Sequence, residues 1–245
     1  MSKIVLENLS VWYADKDNNV LALDDISFEF HPSFNVVLGT SGCGKTTLLK
    51  TLAGLLDYRG NIIVDGADIS KTPTNQRDMA FVSQQYVLYP NKTIFDNIAF
   101  PLKLKNTPTE EIKERVYDIA KKLDLTACLS RKPKQISGGQ QQRVAIAKAL
   151  VKKPSVCLMD EPLSNVDPKV RARARVLIKD ALNCIDCTVV YVTHNVYEAM
   201  ALADKLIVMD KGKFVLSGAP EEVYASSDPA VELIKSGLTD FCVEG

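Results

Sequence analysis

The chain has 245 residues, 46% hydrophobic and 24% charged, and its thirty Lys and Arg balance thirty Asp and Glu. That apolar content excludes a disordered chain and is ample for a real core. Zero formal net charge excludes a polyanion binder held by net positive charge, so nucleic acid is not an expected partner.

The first 35 residues read as strands. Lys3–Trp12 and Leu21–His31 alternate loosely around a polar turn at Asp15–Asn19. Phe34–Leu38 is a short buried strand ending at Gly39. A helix follows, with Thr46, Leu48, Leu49, Leu52, Leu55 and Leu56 on one face. Asn61–Val64 and Met79–Val82 are further strands. From about residue 86 to 150 the chain turns helical. Thr107-Pro108-Thr109-Glu110 is a helix start in which Thr107 caps, Pro108 takes the first helical position and Glu110 closes a capping box; that helix runs to Leu123. Another follows Gly139 and carries Val144, Ile146, Ala147 and Leu150. Alternation then resumes: a strand at Ser155–Met159, a basic helix opened by Asp167-Pro168, a strand at Cys187–Val192, a helix at Val196–Ala203 and a strand at Leu206–Met209. Buried strands alternating with helices predict an α/β fold with a mostly parallel core sheet, an antiparallel β start and an inserted helical lobe at 86–150, all within one domain over 1–245.

No apolar run approaches the roughly 20 residues of a helical membrane span. The start MSKIVLENLS lacks the apolar stretch of a secretory signal. Six cysteines, at 43, 128, 157, 184, 187 and 242, form no disulfide framework in a chain this long and fit a reducing cytoplasm. Cys184-Ile185-Asp186-Cys187 has redox or zinc-like spacing. A metal would need a second ligand pair, and His31 is the only spare histidine, so these are read as two half-buried thiols at a helix end.

Gly39-Thr40-Ser41-Gly42-Cys43-Gly44-Lys45-Thr46, with Thr47 behind it, fits G-x-x-x-x-G-K-[ST] between a strand and a helix. The glycines let backbone N–H groups turn onto phosphate oxygens. The helix adds the positive end of its dipole. Lys45 places a charge between the β- and γ-phosphates, and Thr46 offers a hydroxyl to Mg²⁺. A second constellation is Val156–Met159 running into Asp160-Glu161-Pro162. Two acids at the end of a buried strand are unusual. Asp160 would face Mg²⁺ through water, and Glu161 would polarise the attacking water.

The string Ile136-Ser137-Gly138-Gly139-Gln140-Gln141-Gln142-Arg143 resembles the signature motif of the ATP-binding cassette (ABC) ATPases, with Ile136 where Leu is usual. Ser137 and the two glycines expose N–H groups at a helix start and make a second γ-phosphate site. The remaining roles are implied by the resemblance. Gln84 matches the glutamine that reaches Mg²⁺ and the water; Gln85 is its neighbouring candidate, and the distance to Tyr86 and Pro90 favours Gln84. His194, after the Tyr191–Thr193 strand, matches the histidine that contacts the γ-phosphate. Asp167 matches the loop that crosses the dimer interface, although Asn165-Val166 replaces the common Ala-Leu. Tyr13 resembles the aromatic that stacks on adenine, with Trp12 as its rival on an alternating strand.

A narrower likeness, from Tyr86–Pro90 through Asn97–Lys103, is to the ATP-binding subunits of carbohydrate importers, in which this segment helps form the groove for a membrane subunit. Such subunits commonly carry a further regulatory β-domain. Here the chain stops at Gly245, so regulation through one is not claimed, and the carbohydrate assignment weakens. The resemblance implies an ATPase using ATP and Mg²⁺. It would work as a head-to-tail pair, each ATP lying between one copy's cradle and the other's Ser137–Gln140. The pair, expected to be a homodimer, would sit in the cytoplasm on the inner face of the plasma membrane, against permease subunits and indirectly a solute-binding protein. A soluble single-cassette ATPase is the alternative. A GTPase is disfavoured, because no Asn/Thr-Lys-x-Asp guanine-reading string occurs.

Overall fold

The computed structural model describes residues 1–14, 19–164 and 166–239. The predicted turn at Asp15–Asn19 therefore lies, but for its last residue, outside the described residues, as do Asn165 and Cys242. The elements in chain order are β1 (Ile4–Ala14), β2 (Asn19–Phe30), β3 (Phe34–Leu38), α1 (Lys45–Leu52), β4 (Arg59–Val64), β5 (Ala67–Asp68), β6 (Met79–Val82), α2 (Ile94–Leu104), α3 (Thr109–Lys122) and α4 (Gly138–Leu150). Then follow β7 (Val156–Asp160), α5 (Pro168–Asn183), β8 (Thr188–Thr193), α6 (Val196–Leu202), β9 (Lys205–Asp210), β10 (Lys213–Gly218), α7 (Pro220–Ala225) and α8 (Pro229–Thr239). They fall into two compact units, Met1–Asp78 with Thr188–Gly245, and Met79–Cys187.

The first unit has an antiparallel layer in the order β2-β1-β4-β5. Its parallel strands are β9, β3 and β8, with β3 pairing both neighbours, and β10 closes antiparallel on β9. Every residue of β3 and β8 is buried. Such strands read as unbroken apolar runs because both faces are covered. Burying each Leu, Ile or Val contributes about 1.5–3 kcal/mol.

Helix α1 is shorter than its apolar pattern suggests. It ends at Leu52, and Leu55, predicted on its buried face, is 53% exposed. The reason is a Schellman stop: Gly54 N–H bonds the Thr51 carbonyl, and Leu55 N–H bonds that of Lys50. Gly54 sits at φ +75°, and a Cβ there would lie 2.7 Å from Arg77 Cζ. The buried Arg77 guanidinium donates to the carbonyls of Leu52, Ile69 and Thr72, so it satisfies the helix end and the following loop together.

The second unit pairs β6 and β7 in parallel, Met79 opposite Val156. Helices α2, α3 and α4 share a core of Ile94, Ile98, Leu102, Ile112, Val116, Val144 and Leu150. Thr93 caps α2 through Asp96 N–H. The start of α3 differs from the expectation. Pro108 is the cap residue, with no side-chain capping bond, and helix begins at Thr109. Thr107 is spent on the previous helix, its N–H bonding the Leu102 carbonyl at 3.2 Å. Helix α4 starts at Gly138, two residues earlier than read from the pattern, and Cys184 is exposed while Cys187 is buried.

Candidate functional site

The cradle lies between the last residue of β3 and the first turn of α1. Gly44 takes φ +110° at the helix N-cap, and no side chain caps the first amides. A Cβ at Gly44 would stand 2.7 Å from the Ala22 carbonyl oxygen, so both backbone conformation and space call for glycine. The uncapped amides and the helix dipole suit an anion. Lys45 is only 5% exposed. Its ammonium donates to the carbonyls of Gly39 and Thr40, both at 2.8 Å, which turns the cation back over its own loop. Cys43 is buried beside it, and burial pushes its thiol pKa up. Ser41, Gly42 and Thr46 are exposed, whereas Thr47 is buried.

The rival aromatics divide as neighbours on a strand must. The Tyr13 hydroxyl lies 3.1 Å from Thr47 Oγ1, on α1. Trp12 instead carries the Arg59 guanidinium 5.0 Å from its ring centroid. His194 is exposed at the end of β8, held by a buried network that the sequence reading missed. Glu198 Oε2 accepts from Tyr191 Oη at 2.9 Å and from Thr193 Oγ1 at 3.0 Å. Thr193 Oγ1 accepts from Asn195 N–H, and Asn195 Oδ1 accepts from Glu198 N–H, each at 3.0 Å. The residues on both sides of His194 are thus tied to one buried carboxylate. The available signal was an acid inside an otherwise apolar helix pattern.

In the second unit Asp160 ends β7 at 4% exposure. Glu161 follows at φ +44°, a left-handed conformation uncommon for a non-glycine residue and enriched at functional positions. Its carbonyl accepts from both the N–H and the hydroxyl of Ser164, which hold the bend. Gln84 and Gln85 are both exposed after β6, so burial does not separate them.

Ser137 caps α4. Its hydroxyl accepts from Gln140 N–H at 3.3 Å, and Gln140 Oε1 accepts from Ser137 N–H at 3.0 Å. Gln140 therefore closes a capping box, while Ser137, Gly138, Gly139 and Asp167 line a pocket of about 550 Å³. Another wall holds an ion cluster absent from the sequence reading. Asp124, at φ +54°, lies 3.0 Å from Arg173 Nη2 and 3.4 Å from Arg143 Nη1. Arg143 also donates to the Leu123 and Asp124 carbonyls.

Each unit by itself offers an oxygen donor of the type that Mg²⁺ takes. Among the described residues no three His, Cys, Asp or Glu cluster as a protein-only metal site. Mg²⁺ typically takes one or two protein oxygens and fills its shell with phosphate and water. The Thr46 hydroxyl and the Asp160 carboxylate are of that kind.

A family model described as ABC transporter matches residues 23–164. Over 213 residues the chain is 47% identical to the trehalose/maltose import ATP-binding protein MalK of Thermococcus litoralis, covering 84% of this chain and 57% of that protein. It is 44% identical to the sn-glycerol-3-phosphate import ATP-binding protein UgpC 3 of Agrobacterium fabrum, covering 91% and 63%. It is 40% identical to the oligosaccharides import ATP-binding protein MsmX of Bacillus subtilis, covering 98% and 68%. The chain thus spans about three fifths to two thirds of these relatives' lengths. A dimeric post-hydrolysis structure of the ATP-binding cassette MJ0796, bound to ADP and Pi, superposes with a TM-score of 0.79 at 28% identity, covering 89% of this chain and 98% of that one. The fold is the α/β P-loop fold of an ABC ATPase cassette. The chain belongs to the ABC transporter family.

Proposed function

We propose that this chain binds and hydrolyses ATP as the nucleotide-binding subunit of an importer, with residues 1–245 acting as one nucleotide-binding domain. The observation that carries this reading is the pair of helix N-termini, one at Gly44-Lys45 and one at Ser137-Gly138, each presenting backbone amides from a different unit. Family membership supports two identical copies arranged head to tail. Each ATP then meets Gly39–Thr47 of one copy, with Tyr13 on the base, and Ser137–Gln140 of the other, with Asp167 beside the shared interface.

The cradle amides and Lys45 offset the phosphate charge, and closure on the second copy adds donors and expels water. Thr46, Asp160 and Gln84 are the residues that would hold Mg²⁺, which would supply charge neutralisation when bound. Glu161 orients and deprotonates the attacking water, with His194 beside the γ-phosphate. Release of phosphate removes the link between copies, and the helices of the second unit pass that motion to permease subunits. A solute-binding protein completes such a system on the other side of the membrane. Among the described residues no helix is long and apolar enough to cross a membrane. The proposed place is peripheral, on the cytoplasmic face.

The head-to-tail reading is tested by mixing two inactive variants. Ser137→Arg keeps the cradle and Lys45→Ala keeps the signature corner. Each alone should lack hydrolysis, and Ser137→Arg should still bind ATP. A mixed pair regains one complete site, so ATPase activity should reappear on mixing. Mixtures that stay inactive while pairs form, or a Ser137→Arg monomer that loses ATP, would overturn the proposal.

A further inference from the structure

Helix α6 opens with Asn195-Val196-Tyr197-Glu198, the spacing of a capping box. Asn195 plays its part: its Oδ1 accepts from Glu198 N–H at 3.0 Å. In the ordinary box the acid reaches back to the N–H of the cap residue. Here that N–H bonds Thr193 Oγ1 instead, at 3.0 Å. The Glu198 carboxylate is spent on β8, where Oε2 accepts from Tyr191 Oη at 2.9 Å and from Thr193 Oγ1 at 3.0 Å.

Glu198 is 3% exposed, and both of its hydroxyl donors are buried. Burying a carboxylate is costly, and capping a helix of seven residues does not require it. What the burial adds is a lock on β8. Tyr191 and Thr193 are two positions apart and share one face of the strand, so one oxygen holds both. The Tyr191 ring packs in turn on Phe34 of β3, with centroids 5.9 Å apart.

Thr193 is the hub. Its hydroxyl donates to Glu198 and accepts from Asn195 N–H, and its carbonyl accepts from Gly39 N–H at 3.4 Å. Gly39 is the first residue of the cradle. His194 stands exposed between Thr193 and Asn195. Its backbone is therefore held on both sides by groups tied to Glu198, and on one side to the cradle as well. Charge-assisted hydrogen bonds from two hydroxyls in a low-dielectric setting make this a stiff support. We propose that Glu198 is the positioning residue for His194: buried away from any nucleotide, it holds the imidazole at a fixed place relative to Gly39 through Thr193 and Asn195. The inference rests on the ATPase reading above and names the group that holds its histidine.

Three variants of the full chain test it. Glu198→Leu removes the acceptor at similar volume. Thr193→Val removes the hub hydroxyl but keeps the carbonyl on Gly39, and it serves where the change at Glu198 prevents folding. Glu198→Gln keeps an oxygen that can accept from both hydroxyls. The first readout is steady-state ATP turnover. Glu198→Leu and Thr193→Val should lower kcat on the order of 100-fold, the effect of a misplacement of about 1 Å. KM for ATP should stay within about three-fold, because the cradle is untouched. Glu198→Gln should recover most of the rate. The second readout needs no turnover. The chain has two histidines, so in a His31→Gln background one imidazole Cε1–H signal remains in a ¹H–¹³C NMR spectrum. That signal should shift and broaden in Glu198→Leu and Thr193→Val and hold its place in Glu198→Gln. A His194 signal unmoved by either disruptive variant would overturn the inference, as would full kcat in both while His194→Ala is inactive. If His194→Ala itself turns over normally, the catalytic role of His194 fails instead, and the NMR signal alone decides the role of Glu198.

Discussion

Two helix N-termini in this chain use the same physics in opposite states. At α1 the N-cap is Gly44 in a left-handed conformation with no side-chain cap. At α4 the N-cap is Ser137 in an extended conformation, with its hydroxyl and Gln140 closing a reciprocal box. With glycine at the cap the first arrangement gives up only about a few tenths of a kcal/mol of capping stability and leaves its first amides without a side-chain cap. The second already engages the amides of Ser137 and Gln140, so in the proposed role an incoming phosphate meets those of Gly138 and Gly139. On the proposed function, the first terminus suits a resident anion and the second a visiting one.

The largest effect expected from probing this contrast is that of Gly44→Ala. The left-handed backbone and the Ala22 carbonyl at 2.7 Å make the methyl group untenable. The loss should be about 3 kcal/mol. A urea midpoint near wild type would show that the loop relaxes freely, and the contrast would fail.

Next comes a difference in thiol reactivity between closed and open settings. Burial pushes Cys187 up to about 11 and also raises Cys43, while Cys184 is exposed. A raised thiol pKa means less thiolate, so iodoacetamide at pH 8 should label Cys184 more than ten-fold faster than Cys43 or Cys187. Peptide mapping by mass spectrometry reads the order, and early labelling of Cys43 would mean that the cradle opens to solvent. The same shift has a sign for folding. The stabilisation is present in full below the unfolded thiol pKa of about 8.5 and is lost as pH rises toward about 11, so denaturation midpoints should fall across that window.

Ser137→Ala removes the capping hydroxyl and should cost about 1 kcal/mol in thermal or urea unfolding. No change would mean that the box adds nothing, and the distinction between the two termini would shrink. The smallest effect is that of Gly138→Ala. Only the Tyr86 hydroxyl approaches its would-be Cβ, at 3.5 Å, and the position is helical. Stability should stay within about 0.5 kcal/mol of wild type, against the large loss at Gly44.

Local patterns carried much of this structure. Strands β3 and β6 coincide with their predicted limits because short apolar runs bounded by Gly or polar residues have one simple reading. The end of α1 was illegible for the opposite reason. Leu55 and Leu56 continue the apolar period, and the stop comes from Gly54 meeting Arg77, a contact 23 positions away in sequence. The start of α3 misled because Pro108 itself takes the extended cap position, which leaves Thr107 one residue outside the helix cap.

What the amino-acid order alone determined is the contiguous strings on which the proposed chemistry rests: the glycine-rich turn before Lys45, the acids at the end of β7, and the Ser-Gly-Gly corner. Each works through backbone amides or carboxylates set by neighbours only a few residues away. Tertiary structure decided which side chains support them. Asp124 between Arg143 and Arg173, and Arg77 beneath the carbonyls that end α1, are meetings of segments brought together by packing. Charge and hydrogen-bond complementarity across such distances leaves no periodic trace in a single sequence, so only the folded chain reveals it.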